Sequence, residues 1–570
     1  MNSYKHHTLS ANGLVALLLG CWWMLNVLTC CWLDLANDEA YYWAWTTAAS
    51  ENGNPLAWGY FDHPPMVALL IWLSSWLPGT LGVRFFSLLL QPLYLYLFWT
   101  LIRPPQPSRK DAWIYSLVSF SIPMLQLYGL LTLPDAPLLC FTIVFLWALK
   151  QFDAQRTLLN ATLLAVAMAL LVYSKYHGVL VILLALAACI RKGNSPFRCW
   201  QLYYAGVLAV ILFLPHLWWQ YRHDFATFQY HLVERSGDGG FDWENIGGFL
   251  VTIILVYNPI WWFFAPNKPL QQQDLTRRIL LFILAGFIAF FFLSSLKDNT
   301  QAQWTLPILI TLIVWGFDAA RESERKYHIV RTCAIVSGIL LMVARILMVS
   351  NPWEWKLETW QQQDSFDQIA ALADGRPVLY SNDYTGAAEY CYYGKEHQAE
   401  SFAFPIFYGR ESQWSYSLAE EKLVGRDVVV QVEENRYADT LLLDNGEAFE
   451  YVTINNYHPT RKVRAEIVQT ILHGSQAEIE MIVTNPYDYD LYSTEENPMI
   501  ATLYWRECQR VQPEIKTPLT DTLHAHSSKH LHMVFELGNR RPKDFPCGIC
   551  IGYALFRCNR SSEIFFLDTK

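Results

Sequence analysis

A short stretch near the N-terminus combines carboxylates, a histidine and aromatic residues in an arrangement that can do chemistry. Asp38 and Glu39 form an acidic pair among tyrosines and tryptophans, and Asp62 and His63 stand directly before two prolines. The stretch follows residues 13–33, an uncharged run long enough to cross a bilayer. The acids must then emerge at a membrane face, where a carboxylate can act as a base. The alternative interpretation is an aromatic interface belt with solvated acids.

The composition is that of a membrane protein. The chain has 570 residues, of which 53% are hydrophobic, 15% aromatic and only 16% charged. Its net charge of -9 argues against a nucleic-acid partner, since a phosphate-binding surface needs clustered Lys and Arg. The twelve cysteines show no metal-binding spacing, and most lie in apolar runs. Near the C-terminus, Cys547, Cys550 and Cys558 allow either a disulfide or packed thiols.

Apolar segments in the first 350 residues predict an α-helical polytopic membrane domain with about eleven spans. The first segment lacks a cleavage site and is interpreted as an uncleaved anchor. Residues 65–77 are too short to span and are expected to lie in the interface. The predicted spans are residues 13–33, 82–102, 112–131, 136–149, 157–172, 178–190, 199–221, 246–266, 279–296, 302–317 and 332–350.

The distribution of positive charge predicts the topology. Lys and Arg concentrate in alternate loops, which are therefore cytoplasmic together with the N-terminus. Every polar cluster that resembles a reactive site then faces the exported side. From residue 351 the chain is soluble and is expected outside. Residues 351–445 mix helical and strand patterns and predict a small α/β domain, whereas residues 446–570 alternate as in a β-sandwich-like domain.

An ordered series of motifs resembles the bacterial family 39 glycosyltransferases. These are relatives of protein O-mannosyltransferases and of the lipid A aminoarabinose transferase, within the C-type polytopic membrane class. The motifs are Asp38-Glu39-Ala-Tyr-Tyr-Trp, Gly59-Tyr-Phe-Asp-His-Pro-Pro65, Arg84 at the next span, Leu133-Pro-Asp135-Ala-Pro-Leu138, Ser174-Lys175-Tyr176-His177-Gly178 and the run from Pro215 through His223 to Phe228.

The resemblance implies a membrane glycosyltransferase that moves a single sugar from a polyprenyl-phosphate donor. The acceptor would be an envelope glycolipid, a glycan or a protein on the exported face of a bacterial inner membrane. Alternatives are a ligase or polymerase that uses a polyprenyl diphosphate, a lipid-sugar flippase, and a receptor with a sugar-binding sandwich. Cofactors are unknown, although a divalent metal ion held by Asp38 and Asp135 is compatible with the acids.

The same resemblance assigns roles to acids. Asp38 matches the family's first-loop aspartate and is expected to be the general base. Glu39 either supports it or is a solvated neighbour. Asp135 matches the second acidic position, where it would orient the acceptor or share a cation, unless it only caps a helix. Asp62 is assigned to the acceptor side or another contact.

Cationic candidates are expected to stabilise the phosphate leaving group. Lys175 is either a snorkelling anchor or a phosphate contact, and the family pattern favours the contact. His63 stands where related transferases often carry a lysine, so it is assigned to the phosphate as well. The remaining outward-facing candidates are Arg84, His177 and Lys297 for the phosphate and His223 for the acceptor or another contact.

The topology is directly testable. Reporter fusions after Arg278 and after Pro352 should report a cytoplasmic and an exported location, respectively, because the charge alternation places an odd number of spans before the soluble part. The same compartment for both fusions would contradict the arrangement.

Overall fold

The computed structural model describes a helical part followed by a β-rich part. The described residues are 9–190, 195–230, 243–266, 274–297, 299–407, 409–432, 438–505, 514–540, 545–556 and 559–567. Two compact units emerge, one of residues 1–42 and 56–360 and the other of residues 43–55 and 361–570.

Fifteen α-helices precede residue 351 among the described residues. The first eight are α1 (Ala11–Cys30), α2 (Asn37–Ala44), α3 (Met66–Ser74), α4 (Gly79–Ile102), α5 (Arg109–Phe120), α6 (Pro123–Tyr128), α7 (Asp135–Ala154) and α8 (Leu158–Ser174). The other seven are α9 (His177–Ala188), α10 (Trp200–Arg222), α11 (Ala226–Gln229), α12 (Trp243–Val256), α13 (Leu275–Ser295), α14 (Leu309–Ala320) and α15 (Glu324–Ser350).

Each predicted span lies on helical structure, which confirms a polytopic α-helical fold. Seven helical segments are long and apolar enough to cross a membrane, and α8, α9 and α12 are shorter apolar helices. The predicted number of about eleven spans therefore stays a prediction. The segment predicted over residues 112–131 divides into α5 and α6, because Pro123 has no N–H and begins a new helix.

Local sequence fixes several helix starts outside the apolar core. Ser108 and Asp111 form a reciprocal capping box at the start of α5. The side chain of Asp274 caps α13, and that of Ser323 caps α15. These caps satisfy orphan N–H groups, so the helices begin where short polar residues end the loops.

The second unit begins with a five-stranded sheet of order β2-β1-β3-β5-β4. Its strands are β1 (Val378–Ser381), β2 (Ser401–Phe404), β3 (Arg426–Gln431), β4 (Asp439–Leu442) and β5 (Ala448–Tyr457), with helices α16 (Gln362–Ala373) and α17 (Tyr384–Tyr393). The pairs β1–β2 and β1–β3 are parallel, whereas β5 is antiparallel to β3 and β4. This mixed sheet with helices agrees with the predicted α/β character.

Two three-stranded antiparallel sheets follow, of order β10-β7-β6 and β11-β8-β9. Their strands are β6 (Arg464–His473), β7 (Gln476–Asn485), β8 (Met499–Trp505), β9 (Glu514–Pro518), β10 (Ser527–Glu536) and β11 (Cys547–Tyr553). In β7, buried residues alternate with half-buried ones. The predicted β-rich end of the chain is confirmed, whereas the division into three domains at residues 350 and 445 stays a prediction.

The structure distinguishes in part between a disulfide and packed thiols at the cysteines near the C-terminus. Cys550 is disulfide-bonded, whereas Cys547 keeps a thiol whose sulfur lies 3.4 Å from the Phe545 carbonyl oxygen. Cys558 lies outside the described residues.

Candidate functional site

A buried ion pair holds the chain where it leaves the first helix. The Arg84 guanidinium, on α4, donates to Glu39 through Nε at 2.9 Å and Nη2 at 2.5 Å. Both side chains are fully enclosed. Arg84 also donates to the carbonyl oxygens of Leu33 at 2.9 Å and Asp34 at 2.6 Å. The arginine therefore fixes both the acid and the backbone turn that precedes it.

Glu39 also reaches the loop before α7. Its Oε1 accepts from the Thr132 amide at 2.8 Å, and its Oε2 accepts from the Ala36 amide at 3.0 Å. The Thr132 hydroxyl in turn lies 3.0 Å from the Val83 carbonyl oxygen. One carboxylate thus connects α2, α4 and the loop that precedes Asp135. Such a fully satisfied charge suits a scaffold role.

A second buried ion pair joins two of the predicted site residues. Lys175 Nζ lies 2.9 Å and 2.8 Å from the two carboxylate oxygens of Asp135, and both side chains are about 5% exposed. Asp135 is the first residue of α7, so the helix dipole also favours its negative charge. Lys175 follows the last residue of α8. Among described residues, Asp135 is the hydrogen-bond partner of the ammonium group, which leaves one of its three hydrogens for a ligand.

Asp38 differs from its neighbour because its side chain is exposed. It lies in the first turn of α2, about 100° around the helix from Glu39, so the two carboxylates point in different directions. Asp38 and Asp135 both act electrostatically on the Tyr128 side chain at the end of α6. Both acids therefore lie within electrostatic range of the Tyr128 side chain.

The other predicted residues have varied surroundings. Asp62 is buried and accepts from the Tyr41 hydroxyl at 2.7 Å. The His63 ring lies 6.1 Å from the Tyr42 ring, and the His177 ring lies 5.2 Å from that of Phe291.

The two remaining candidates lie at helix ends. His223 is the C-cap of α10, where its ring stacks at 4.2 Å on Trp219 and its Nδ1 donates to the Trp219 carbonyl oxygen at 2.8 Å. Lys297 is exposed, just beyond α13.

A buried hydrogen-bond chain next to these residues was not predicted from the sequence. His216 Nδ1 lies 2.7 Å from the Trp58 carbonyl oxygen, which can only accept, so Nδ1 carries the proton and Nε2 accepts from the Tyr176 hydroxyl at 2.8 Å. Gln220 Nε2 donates to that hydroxyl at 3.0 Å and to Thr227 at 2.7 Å. A lone histidine in an apolar helix carried no pattern that would have revealed this.

The same chain of contacts requires a glycine in the Gly-Tyr-Phe-Asp-His motif. A Cβ atom at Gly59 would lie 2.4 Å from the Trp219 ring and 3.0 Å from His216 Nδ1. The Thr227 hydroxyl contacts the Tyr60 carbonyl oxygen at 3.3 Å. The backbone of the motif therefore packs directly against side chains of α10. This contact positions the loop that carries Asp62 and His63.

A divalent cation between Asp38 and Asp135 does not fit the arrangement well. Both oxygens of Asp135 accept hydrogen bonds from Lys175, whose positive charge would repel a cation. Over the described part of the chain, no group of three or more His, Cys, Asp or Glu side chains is placed to hold a metal.

Comparisons with known proteins confirm the resemblance predicted from the motifs. Residues 62–219 match the family model described as dolichyl-phosphate-mannose-protein mannosyltransferase. The chain is 24% identical over 321 residues to the lipid A galacturonosyltransferase RgtD of Rhizobium johnstonii. That alignment covers 53% of this chain and 65% of the relative.

Solved structures share the fold. ArnT from Cupriavidus metallidurans in the apo state matches with a TM-score of 0.56 and 13% identity, covering 78% of this chain and 98% of the other. The same protein bound to undecaprenyl phosphate matches with a TM-score of 0.55 and 14% identity, covering 79% and 99%. At these identities the likeness shows the C-type fold alone.

The Glu39–Arg84 pair predicts a stability effect that an exposed pair does not give. Glu39→Gln should lower the free energy of unfolding by about 3–5 kcal/mol, because it leaves the Arg84 charge buried without its counter-ion. Thermal unfolding of the purified protein in detergent measures this.

The matched control is Glu324→Gln, which removes an exposed carboxylate that accepts from Lys110 at 2.8 Å. It should change the unfolding midpoint little. Equal midpoints for the Glu39 variant and the wild type would contradict the scaffold role.

Proposed function

We propose that this chain, a membrane protein of the C-type glycosyltransferase fold with a mannosyltransferase-family segment, transfers a single sugar from a polyprenyl-phosphate donor. The acceptor is an envelope lipid, glycan or protein on the exported face of a bacterial inner membrane. The relative named for lipid A and the related structure bound to undecaprenyl phosphate support a lipid-linked donor and a lipid or glycan acceptor.

The observation that carries the proposal is the separation of roles between two adjacent acids. Glu39 is buried, saturated with donors and locked to Arg84, whereas Asp38 is exposed on the same helical turn. A scaffold acid beside an accessible acid is what a positioned general base needs, since the rigid neighbour holds the backbone from which the base projects. Asp38 is therefore the base that takes the acceptor hydroxyl's proton.

The donor's phosphate is assigned to the Asp135–Lys175 pair, helped by His63, His177 and Lys297. Cleavage of the sugar–phosphate bond turns a phosphodiester anion into a more highly charged phosphate, so cationic donors lower the barrier. Lys175 offers its third hydrogen there while Asp135 holds the ammonium in place. Arg84 takes no phosphate in this scheme because Glu39 and two carbonyls occupy it.

The exported location of the soluble part rests on the charge alternation of the loops. The disulfide-bonded Cys550 is in keeping with an oxidising compartment. In this arrangement the acidic motifs of the membrane domain perform the transfer, and the soluble part contributes to acceptor selection.

Transfer itself can be tested with purified protein in liposomes that contain polyprenyl-phosphate-linked sugars and envelope lipid acceptors. Free polyprenyl phosphate should appear only when an acceptor is present. Movement of the donor across the bilayer without its cleavage would point instead to a flippase. Mass spectrometry of envelope glycolipids and glycoproteins with and without the gene would then identify sugar and acceptor.

Asp38→Asn should reduce turnover by about 100- to 10,000-fold, the usual contribution of a general base, with stability and donor affinity nearly unchanged. Asparagine keeps the size and hydrogen-bonding capacity of aspartate but cannot accept the proton. Single-turnover kinetics with saturating donor measure the effect.

The control is Asp364→Asn, an exposed acid in α16 of the other compact unit, which should transfer at the wild-type rate. Near-normal transfer by a properly inserted Asp38→Asn protein would contradict the assignment of Asp38 as the base. Asp38 would then be a solvated acid at the membrane interface.

Lys175→Ala should weaken donor binding about tenfold or more, because a charge-assisted hydrogen bond to the phosphate is lost. The variant also leaves the buried Asp135 carboxylate without its counter-ion. The double variant Lys175→Ala/Asp135→Asn removes this second effect and is measured alongside it. If Lys175 contacts the phosphate, donor KM stays raised in the double variant. Recovery of the wild-type KM would mean that Lys175 acts only by neutralising Asp135.

A further inference from the structure

A buried arginine near the end of the last helix of the membrane domain has neutral partners. Arg345 lies on α15 and is only 7% exposed. Its Nη1 donates to Asn26 Oδ1 at 2.8 Å and to Thr29 Oγ1 at 3.2 Å, and its Nη2 donates to Gln126 Oε1 at 2.7 Å. Among the described residues, no carboxylate forms an ion pair with it.

This environment contrasts with that of the other enclosed arginine of the bundle. Arg84 directs Nε and Nη2 along one edge of its guanidinium at the Glu39 carboxylate. A guanidinium has five N–H hydrogens, and three of those on Arg345 are used by the neutral oxygens of Asn26, Thr29 and Gln126. The two that remain are the hydrogen on Nε and one of the two on Nη2, the nitrogens through which Arg84 binds its anion.

The Nε side of the Arg345 guanidinium is not fully enclosed. Within the described structure, Arg345 Nε makes no hydrogen bond, yet it is not among the fully enclosed polar atoms that lack a partner. The faces of α15 that point away from Arg345 are apolar and exposed, with Ile339, Leu340 and Ile346 all more than half exposed. A ligand that combines an anion with hydrocarbon chains suits such a site, since a fork of two N–H groups matches two phosphate oxygens.

The position of Arg345 along α15 also suits contact with a lipid head group. Arg345 lies five residues before the end of α15, and its partners Asn26 and Thr29 lie in the last turns of α1. A guanidinium about 8 Å along the helix from its terminus is within reach of a lipid head group at the boundary of the hydrocarbon region. Buried charges at such positions are costly, and they pair with an opposite charge or with polar acceptors.

We propose that Arg345, held by Asn26, Thr29 and Gln126, binds the phosphate of a membrane lipid through its Nε and Nη2 hydrogens. The site uses none of the residues assigned to transfer, so the inference does not rest on the proposed function. The phosphate can come from an anionic phospholipid or from a polyprenyl phosphate, and the two sources are separated experimentally.

Native mass spectrometry of the full chain released from detergent micelles tests the proposal. The probes are phosphatidylglycerol, undecaprenyl phosphate and, as a zwitterionic reference, phosphatidylcholine, each titrated separately. Wild-type protein should retain one of the two anionic lipids in preference to phosphatidylcholine. Arg345→Met should weaken that binding about tenfold or more, the usual effect of removing a charge-assisted bidentate contact.

Two further variants sharpen the test. Arg331→Met replaces an exposed arginine of the same helix and should leave lipid retention unchanged. Gln126→Glu keeps Arg345 in place and supplies an internal anion, so it should lower retention as Arg345→Met does, even if the latter variant folds poorly. The anionic lipid whose binding responds to both changes is the source of the phosphate.

A photoactivatable form of that lipid, applied to the wild-type protein, should label peptides of α1 and of the C-terminal end of α15. Equal retention of the anionic lipids by wild type, Arg345→Met and Gln126→Glu would overturn the proposal. So would the absence of labelling at these helices, and Arg345 would then be a structural link between three helices.

Discussion

The burial of Glu39 against Arg84 is the constraint on which the first half of the site depends. A carboxylate that emerges from a membrane helix would ordinarily point to water, yet this one turns inward because the guanidinium and two amides satisfy it completely. The same guanidinium fixes the carbonyls that end the exit from α1. The direction of Asp38 follows, because residue 38 must project from whatever face Glu39 does not occupy.

The sequence indicated where the candidate residues lie in the fold, but it did not indicate which of them form pairs. The acidic pair, the Pro-Asp-x-Pro motif and the lysine after α8 could each be placed at the end of an apolar segment, since hydropathy and charge alternation are local properties. The pairing of Lys175 with Asp135, 40 residues apart, is a property of helix packing that a single sequence does not encode visibly. The same limit hid the 45-residue connection between Arg84 and Glu39.

Helix boundaries can be predicted from local sequence, whereas contacts between helices cannot. Pro123 identifies the break between α5 and α6 in principle, because proline cannot continue the hydrogen-bond ladder. The buried chain from His216 through Tyr176 to Gln220 has no local counterpart, since a histidine in an apolar run looks alike whether it packs, binds or reacts. Only the close approach of Gly59 to Trp219 shows why the motif requires its glycine.

The pairing of Lys175 with Asp135 has a consequence for the proposed chemistry. The attraction between a cation and a phosphate is proportional to the phosphate charge, so a lysine without a counter-ion would hold the more highly charged product most strongly and would retain it. The Asp135 carboxylate weakens this attraction for donor and product alike, and the attraction still grows as charge accumulates on the phosphate during cleavage. Stabilisation that increases along the reaction raises the rate, whereas uniform attraction mainly lowers KM. In the proposed reaction, a lysine compensated by Asp135 would therefore bind the donor, stabilise the developing charge and still release the product.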